Sequence, residues 1–327
     1  MTPLAILIRD EIACRGPIPF ERFMELALYH PAYGYYRRGR DPFGRGGDYY
    51  TAAQLQPVFG ILMAECVRAL YEEMGRPEDF LVVDLGAGRG EMAPAFSQWT
   101  CVGVDLGRGA LPERFRGVVF ANEFFDALPV RAAVGREGAY RELCVAWNGE
   151  RFVWSEGEEL RGEAADYLRR FAGAPEEGRV TEANLRALRW LEDIAARLER
   201  GFLLVIDYGY TTRESGRFPA GTLMSYRRHA ALEEVLAEPG ERDITAHVCF
   251  TALEEHGARC GFRTVSRETL TRTLLRAGEP DAFAAALEAP TEPERLRRRL
   301  QLKTLLAGMG ETFCTLLLAK RPLNARP

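Results

Sequence analysis

The stretch from Asp79 to Met92, DFLVVDLGAGRGEM, constrains this chain more than any other. A short apolar run, FLVV, meets Asp84 and then three glycines at alternate positions, 86, 88 and 90. Such a run bounded by turn residues reads as a strand buried on both faces. Strands of that kind belong to parallel sheets covered by helices. The glycines allow left-handed backbone and close approach to a ligand, and a helix is expected to follow them. The plainer alternative is a tight strand-to-helix turn that needs small residues and binds nothing.

Three further apolar runs repeat the theme. TCVGVDLG ends at Asp105, GVVFANE carries Asn122 and Glu123, and FLLVIDYG carries Asp207. All fall at predicted strand carboxyl ends, where open α/β sheets bind their ligands. Between them the sequence predicts helices. PLAILIRDEIAC and FERFMELALY flank the breaker GPIP, and LQPVFGILMAECVRALYEEMG ends at Gly75. TEANLRALRWLEDIAARLERG is expected to be one helix closed by Gly201. TALEEHGARCG is expected to start on a capping box of Thr251 and Glu254 and to end at Gly261. Asn148-Gly149 between alternating segments signals a hairpin. FRTVSRE and TFCTLLLAK are the last expected strands, with a charged helical stretch at 280–306 between them. The fold class is therefore α/β.

Composition removes several function classes. At 47% hydrophobic and 28% charged, the 327-residue chain is globular. A net charge of −4 gives no broad field toward nucleic acid or an acidic membrane. No uncharged apolar run is long enough for a membrane span, and charge arrives at Arg9, too early for a signal peptide. The seven cysteines (14, 66, 101, 144, 249, 260 and 314) are scattered and odd in number. They read as reduced thiols of a cytoplasmic protein, with no disulfide framework and no metal-ligand spacing. His229 and His247 are read as structural.

Two ligands suit a strand, a glycine turn and a later acid. A dinucleotide site wants G-x-G-x-x-G with its pyrophosphate at a helix N-terminus. Here the pattern is G-x-G-x-G, and its sixth position is Glu91, which opposes an anion. S-adenosylmethionine carries no phosphate and has a sulfonium cation, so an acidic mouth suits it. Asp105 is then the acceptor for two ribose hydroxyls.

The chain resembles the MidA-type family of class I S-adenosylmethionine-dependent methyltransferases, which includes mitochondrial complex I assembly-factor methyltransferases acting on protein arginine. The resemblance runs almost end to end, through FERFMELALYHPAYGYY, GGDYYTAAQLQPVFG, VVDLGAGRGEM, ANEFFDALPV, LLVIDYGY, GTLMSYRRH, PGERDITAHVCFTAL and GMGETFCTLLLAK. It implies a Rossmann-like class I methyltransferase sheet with an N-terminal helical segment, a β insertion near 131–160 and a C-terminal helical insertion near 270–308. Residues 1–76 would form the helical segment with a glycine-rich lid loop, and 77–327 the methyltransferase domain. The cofactor residues it implies are Asp48, Thr51, Asp84, Gly86, Gly88, Gly90, Asp105 and Asn122, with no metal. This chain departs from the family at Ala53-Gln54, where Pro-Glu is usual. Only 13 residues separate Asp105 from Val119, so one helix and strand look trimmed.

The same resemblance points to a protein substrate; the near-neutral charge argues against nucleic acid as a partner, and no membrane partner is expected. An arginine acceptor is cationic at any working pH, and two carboxylates can hold its planar fork. Glu123 and Asp126 of ANEFFDALPV are the candidate catalytic pair, with the phenylalanines as an apolar wall. The alternatives are an RNA or small-molecule methyltransferase, and a non-catalytic assembly factor that keeps the fold. The arginines at 37, 38, 40 and 45 and the run ERLRRRLQLK are read as solvated surface.

Overall fold

The computed structural model describes residues 1–37, 52–227, 230–232 and 234–320. Expectations at Asp48, Thr51, His229 and the arginines at 38, 40 and 45 lie outside these residues. The chain forms two compact units. One comprises Met1–Tyr50, Asp126–Arg189 and Tyr210–Ala252; the other comprises Thr51–Phe125, Trp190–Gly209 and Leu253–Pro327.

The second unit is built on a sheet. Its strands are β2 (Phe80–Leu85), β3 (Thr100–Val104), β4 (Phe115–Asn122), β9 (Leu198–Tyr210), β14 (Phe262–Thr269) and β15 (Phe313–Lys320). They lie in the order β14-β15-β9-β4-β2-β3. Pairs β2/β3, β2/β4 and β4/β9 are parallel, while β15 runs antiparallel to both β9 and β14. Val82, Val83, Val118, Val119, Leu203 and Val205 are fully buried, as expected of strands with no solvent face. Among the described residues the sheet ends at β3 on one side.

Helices α3 (Val58–Glu73) and α7 (Leu270–Gly278) contribute Phe59, Met63, Val67 and Leu274 to one apolar cluster with Phe120 and Phe313. The short α8 (Ala284–Leu287) adds Ala286, and the exposed α9 (Glu292–Thr304) follows it. Two glycines inside strands are steric necessities. A Cβ at Gly117 would overlap the Leu81 carbonyl oxygen, and one at Gly201 would overlap that of Gly117.

The other unit holds the amino-terminal helices α1 (Pro3–Arg15) and α2 (Phe20–Tyr29), joined through the short β1 (Ile18–Pro19). Strand β1 pairs with β6 (Ala139–Trp147), which also pairs with β5 (Arg131–Arg136) and β7 (Phe152–Glu159). The β6–β7 hairpin turns at the predicted Asn148, whose Oδ1 accepts from the N–H groups of Glu150 and Arg151. Strand β8 (Val180–Ala183) completes the sheet beside β5, and helix α4 (Gly162–Phe171) packs Ala165 and Leu168 into a cluster with Ala133 and Ala183. A smaller sheet has β10 (Met224–Arg227) between β11 (Ala230–Leu232) and β12 (Asp243–Thr245). The two-residue β13 (Val248–Cys249) leads into α6 (Phe250–Arg259).

Four local expectations are corrected. No helix follows the glycine turn: residues 87–99 form successive turns, with Gly90 N–H on Ala87 O at 2.7 Å and Ala93 N–H on Gly90 O at 3.1 Å. Gly86, Gly88 and Gly90 all have positive φ, and Pro94 lacks the N–H a helix would use. The segment TEAN is strand and cap instead of helix. Thr181–Ala183 pair with β5, and Asn184 Oδ1 accepts from Ala187 N–H at 3.0 Å to open α5 (Leu185–Arg197). Gly201 does not close that helix but sits inside β9 opposite Gly117. Thr251 lies within α6, and its hydroxyl accepts from Thr212 N–H; the capping box is made by Thr211 and Glu214.

Among the described residues no helix is long and apolar enough to cross a membrane, and no group of three or more His, Cys, Asp or Glu side chains could hold a metal ion.

Candidate active site

The carboxyl ends of β2, β3, β4 and β9 carry the polar residues of the second unit. The chain leaves β2 at Gly86, whose φ of 76° and close neighbour Phe124 both demand glycine: a Cβ there would come within 2.9 Å of the Phe124 ring. Gly86 N–H donates to Val104 O at 2.8 Å, tying the turn to β3.

Asp105, just past β3, organises that turn. One carboxylate oxygen accepts from Gly88 N–H at 2.5 Å and the other from Leu106 N–H at 2.6 Å. Arg108 Nη2 donates to Gly88 O at 2.5 Å, and Arg108 and Asp105 exchange backbone hydrogen bonds. Arg108 is a site-forming residue that no sequence motif announced.

Asp84 lies behind the turn at 5% exposure. Burial first, then the negative charges of Glu91 and Asp105, push its carboxyl up to about 7, with Arg108 opposing. Glu91 itself is paired with Arg89, Nε to Oε1 at 2.8 Å. The turn is therefore crossed by an acidic field. With no helix after it, there is no helix N-terminus to receive a pyrophosphate.

Glu123 occupies the end of β4 in a left-handed conformation, φ 51°. Its N–H donates to Ile206 O at 2.8 Å, which holds it against β9. Its Oε1 accepts from Ala52 N–H at 3.0 Å and from Asn122 Nδ2 at 3.1 Å. The Asn122 Oδ1 is buried without a hydrogen-bond partner. Phe124 meets Phe125 and Trp190 edge-on, each with ring centroids 5.2 Å apart, so an apolar wall does stand beside the acid.

Asp207, fully buried, does what loop acids do: Oδ2 accepts from Phe125 N–H and Oδ1 from Tyr208 N–H. Thus Asp84, Gly86, Gly88, Gly90, Asp105, Asn122 and Glu123 all belong to one unit. Asp126 belongs to the other, where its carbonyl accepts from Ala246 N–H at 2.9 Å. His247 is half-buried, and burial lowers its pKa; its N–H rests on Thr222 Oγ1.

A mainly parallel sheet, a glycine turn without a helix dipole, and an acid at the end of the neighbouring strand define a nucleoside-binding α/β protein of the methyltransferase class. Comparison with known proteins specifies it. The family model for S-adenosyl-L-methionine-dependent methyltransferases matches residues 105–267. The crystal structure of a COG1565 superfamily member from Burkholderia thailandensis bound to S-adenosyl-homocysteine is 32% identical. The match covers 97% of this chain and 92% of that one, with a TM-score of 0.85. A curated relative, "Protein arginine methyltransferase NDUFAF7 homolog, mitochondrial" of Drosophila melanogaster, is 28% identical over 95% of this chain and 83% of its own length. The Homo sapiens protein arginine methyltransferase NDUFAF7 is 24% identical over 96% and 82%. The chain belongs to this MidA-like, COG1565 family of S-adenosylmethionine-dependent methyltransferases.

The residues present fit that cofactor. Asp105 supplies a carboxyl acceptor beside the turn, Gly90 has open space where a side chain would stand, and Asn122 offers an unsatisfied acceptor.

Proposed function

We propose that the chain transfers a methyl group to arginine of a partner protein. The observation that carries this reading is the Glu123 carboxylate, fixed at the end of β4 by two donors on one oxygen and flanked by the Phe124–Trp190 wall. S-adenosylmethionine supplies a carbon already activated by its sulfonium, so the protein has mainly to align the acceptor and exclude water. A carboxylate of fixed plane orients a guanidinium fork and draws its positive charge, which aims one nitrogen. The names of the curated relatives, protein arginine methyltransferases, support this choice of acceptor. Asp126 is the second carboxylate that the sequence nominates. Seven cysteines without a disulfide support a reducing, cytoplasmic setting.

The test is to incubate purified protein and methyl-labelled cofactor with a lysate. Label on arginine of a protein, lost in Glu123→Gln while S-adenosylhomocysteine still binds, is the expected result. Asp126→Asn is assayed beside it. Label in RNA, or full turnover by Glu123→Gln, would sink the proposal, and no label at all would favour the assembly-factor alternative.

A further inference from the structure

Both ends of the Gln54 side-chain amide, Nε2 and Oε1, are buried without a hydrogen-bond partner, and so is Asn122 Oδ1. A native fold rarely leaves one such group unsatisfied, and each one calls for a cause. Asn122 and the short turn that Gln54 ends both hold the same acid. Gln54 ends the single 3-10 turn Ala52–Gln54, whose leading N–H donates to Glu123 Oε1 at 3.0 Å; Asn122 Nδ2 reaches the same oxygen at 3.1 Å. Gln54 is also where the sequence departs from its family's usual glutamate.

The unsatisfied atoms comprise two acceptors and one two-hydrogen donor. Their complement is a group that both donates several protons and accepts: a zwitterionic α-amino acid, whose ammonium suits the two amide oxygens and whose carboxylate suits the Gln54 NH2. A glutamate at position 54 would lack that donor. The sheet order β3-β2-β4 sets the span. Asn122 at the end of β4 is two strand spacings, about 10 Å, from the end of β3 where Asp105 stands. A ligand whose sugar meets Asp105 and whose aliphatic arm crosses the end of β2 brings its amino-acid end to Asn122 and Gln54.

We infer that Gln54, together with Asn122, binds the amino-acid end of the methyl donor, through the amide ends that now lack partners. The inference rests on the cofactor lying across these strand ends, with its sugar at Asp105.

Calorimetric titration of the full chain with two compounds tests it. S-adenosylhomocysteine carries the amino-acid end; 5′-methylthioadenosine has the same nucleoside and sulfur without it. Gln54→Leu keeps the shape and removes both polar atoms. It should weaken S-adenosylhomocysteine at least tenfold and leave 5′-methylthioadenosine within twofold. Its ligand-free thermal midpoint should be no lower than wild type, since an unsatisfied amide has been removed. An unchanged affinity for S-adenosylhomocysteine, as if ordered water alone met the amide, overturns the inference, as does equal loss of both compounds. A wild-type chain that binds neither compound overturns the cofactor placement as well.

Discussion

Asp207 holds Phe125. Its Oδ2 takes the Phe125 N–H at 3.0 Å from within β9, while Oδ1 takes Tyr208 N–H at 2.9 Å. The turn that carries Glu123 is thus anchored by a fully buried carboxylate one strand away. Asp207→Asn would turn an amide NH2 toward one of two backbone donors. It should destabilise the protein by about 2 kcal/mol, in line with lost hydrogen bonds to a charged group. Turnover should fall while the affinity for S-adenosylhomocysteine stays within about twofold, because the Asp105 contacts are elsewhere. Parallel denaturant melts and calorimetry check both parts.

Asp105→Asn predicts the opposite split. If the Asp105 carboxylate accepts from the ribose hydroxyls, replacing it by an amide should make S-adenosylhomocysteine bind about 10–100-fold more weakly, the range of a charge-assisted hydrogen bond. The Gly88 and Leu106 N–H groups compete for the one remaining oxygen, which should also lower the thermal midpoint of the free protein.

Asp84 makes stability depend on pH. Its folded-state pKa is raised from 3.8 to about 7, chiefly by burial. The folded chain therefore keeps a proton that the unfolded chain releases. Stability should fall as pH rises from about 4 to about 7 and then level off, by at most about 4 kcal/mol. Asp84→Asn should flatten that window and melt higher than wild type above pH 7. Thermal midpoints collected from pH 5 to pH 8 decide; a wild-type curve that rises across the window would refute the assignment.

Gly117→Ala should be severe. The glycine has φ 147°, and any Cβ meets the Leu81 carbonyl. Strand β4 would have to separate from β2, with a loss of about 3 kcal/mol or more. Gly90→Ala has space for its methyl group but shares a positive φ, so its loss should stay near 1 kcal/mol. Urea midpoints of the two variants give the comparison.

Thr222→Val probes the buried acid of the other unit. Glu182 accepts from Thr222 N–H and Oγ1, both at 2.9 Å, and burial raises its pKa. Without the hydroxyl an acceptor in the interior loses a donor and His247 N–H loses its acceptor. A loss of about 1–3 kcal/mol is expected, read from chemical denaturation at neutral pH and smaller at low pH, where Glu182 is protonated in both states.

The sheet was legible because its strands are short apolar runs whose burial the residues announce: VVDL, GVVFAN and LLVID all lie in strands, and each carries its polar residue toward the carboxyl end. Segments whose helical propensity was overridden by pairing were not legible. TEA, residues 181–183, reads as helix, yet it pairs with β5. The glycine turn suggested a following helix, but three left-handed residues and Pro94 leave only turns. The grip of Ala52 on Glu123 joins residues 71 apart, and no periodicity encodes it. Gln54 could be marked as unusual from the sequence; that its amide is stranded could be known only from packing.

The position of β15 has a consequence for biosynthesis. Of the described strands it is the last to be made, yet it sits inside the sheet with β9 on one side and β14 on the other. A nascent chain that has emerged only as far as β14 exposes the flank of β9 to any passing strand, and β14 has nowhere to dock. Strand β15 is thus the piece that joins β14 to the rest of the sheet, and the pairing of both neighbours waits on it.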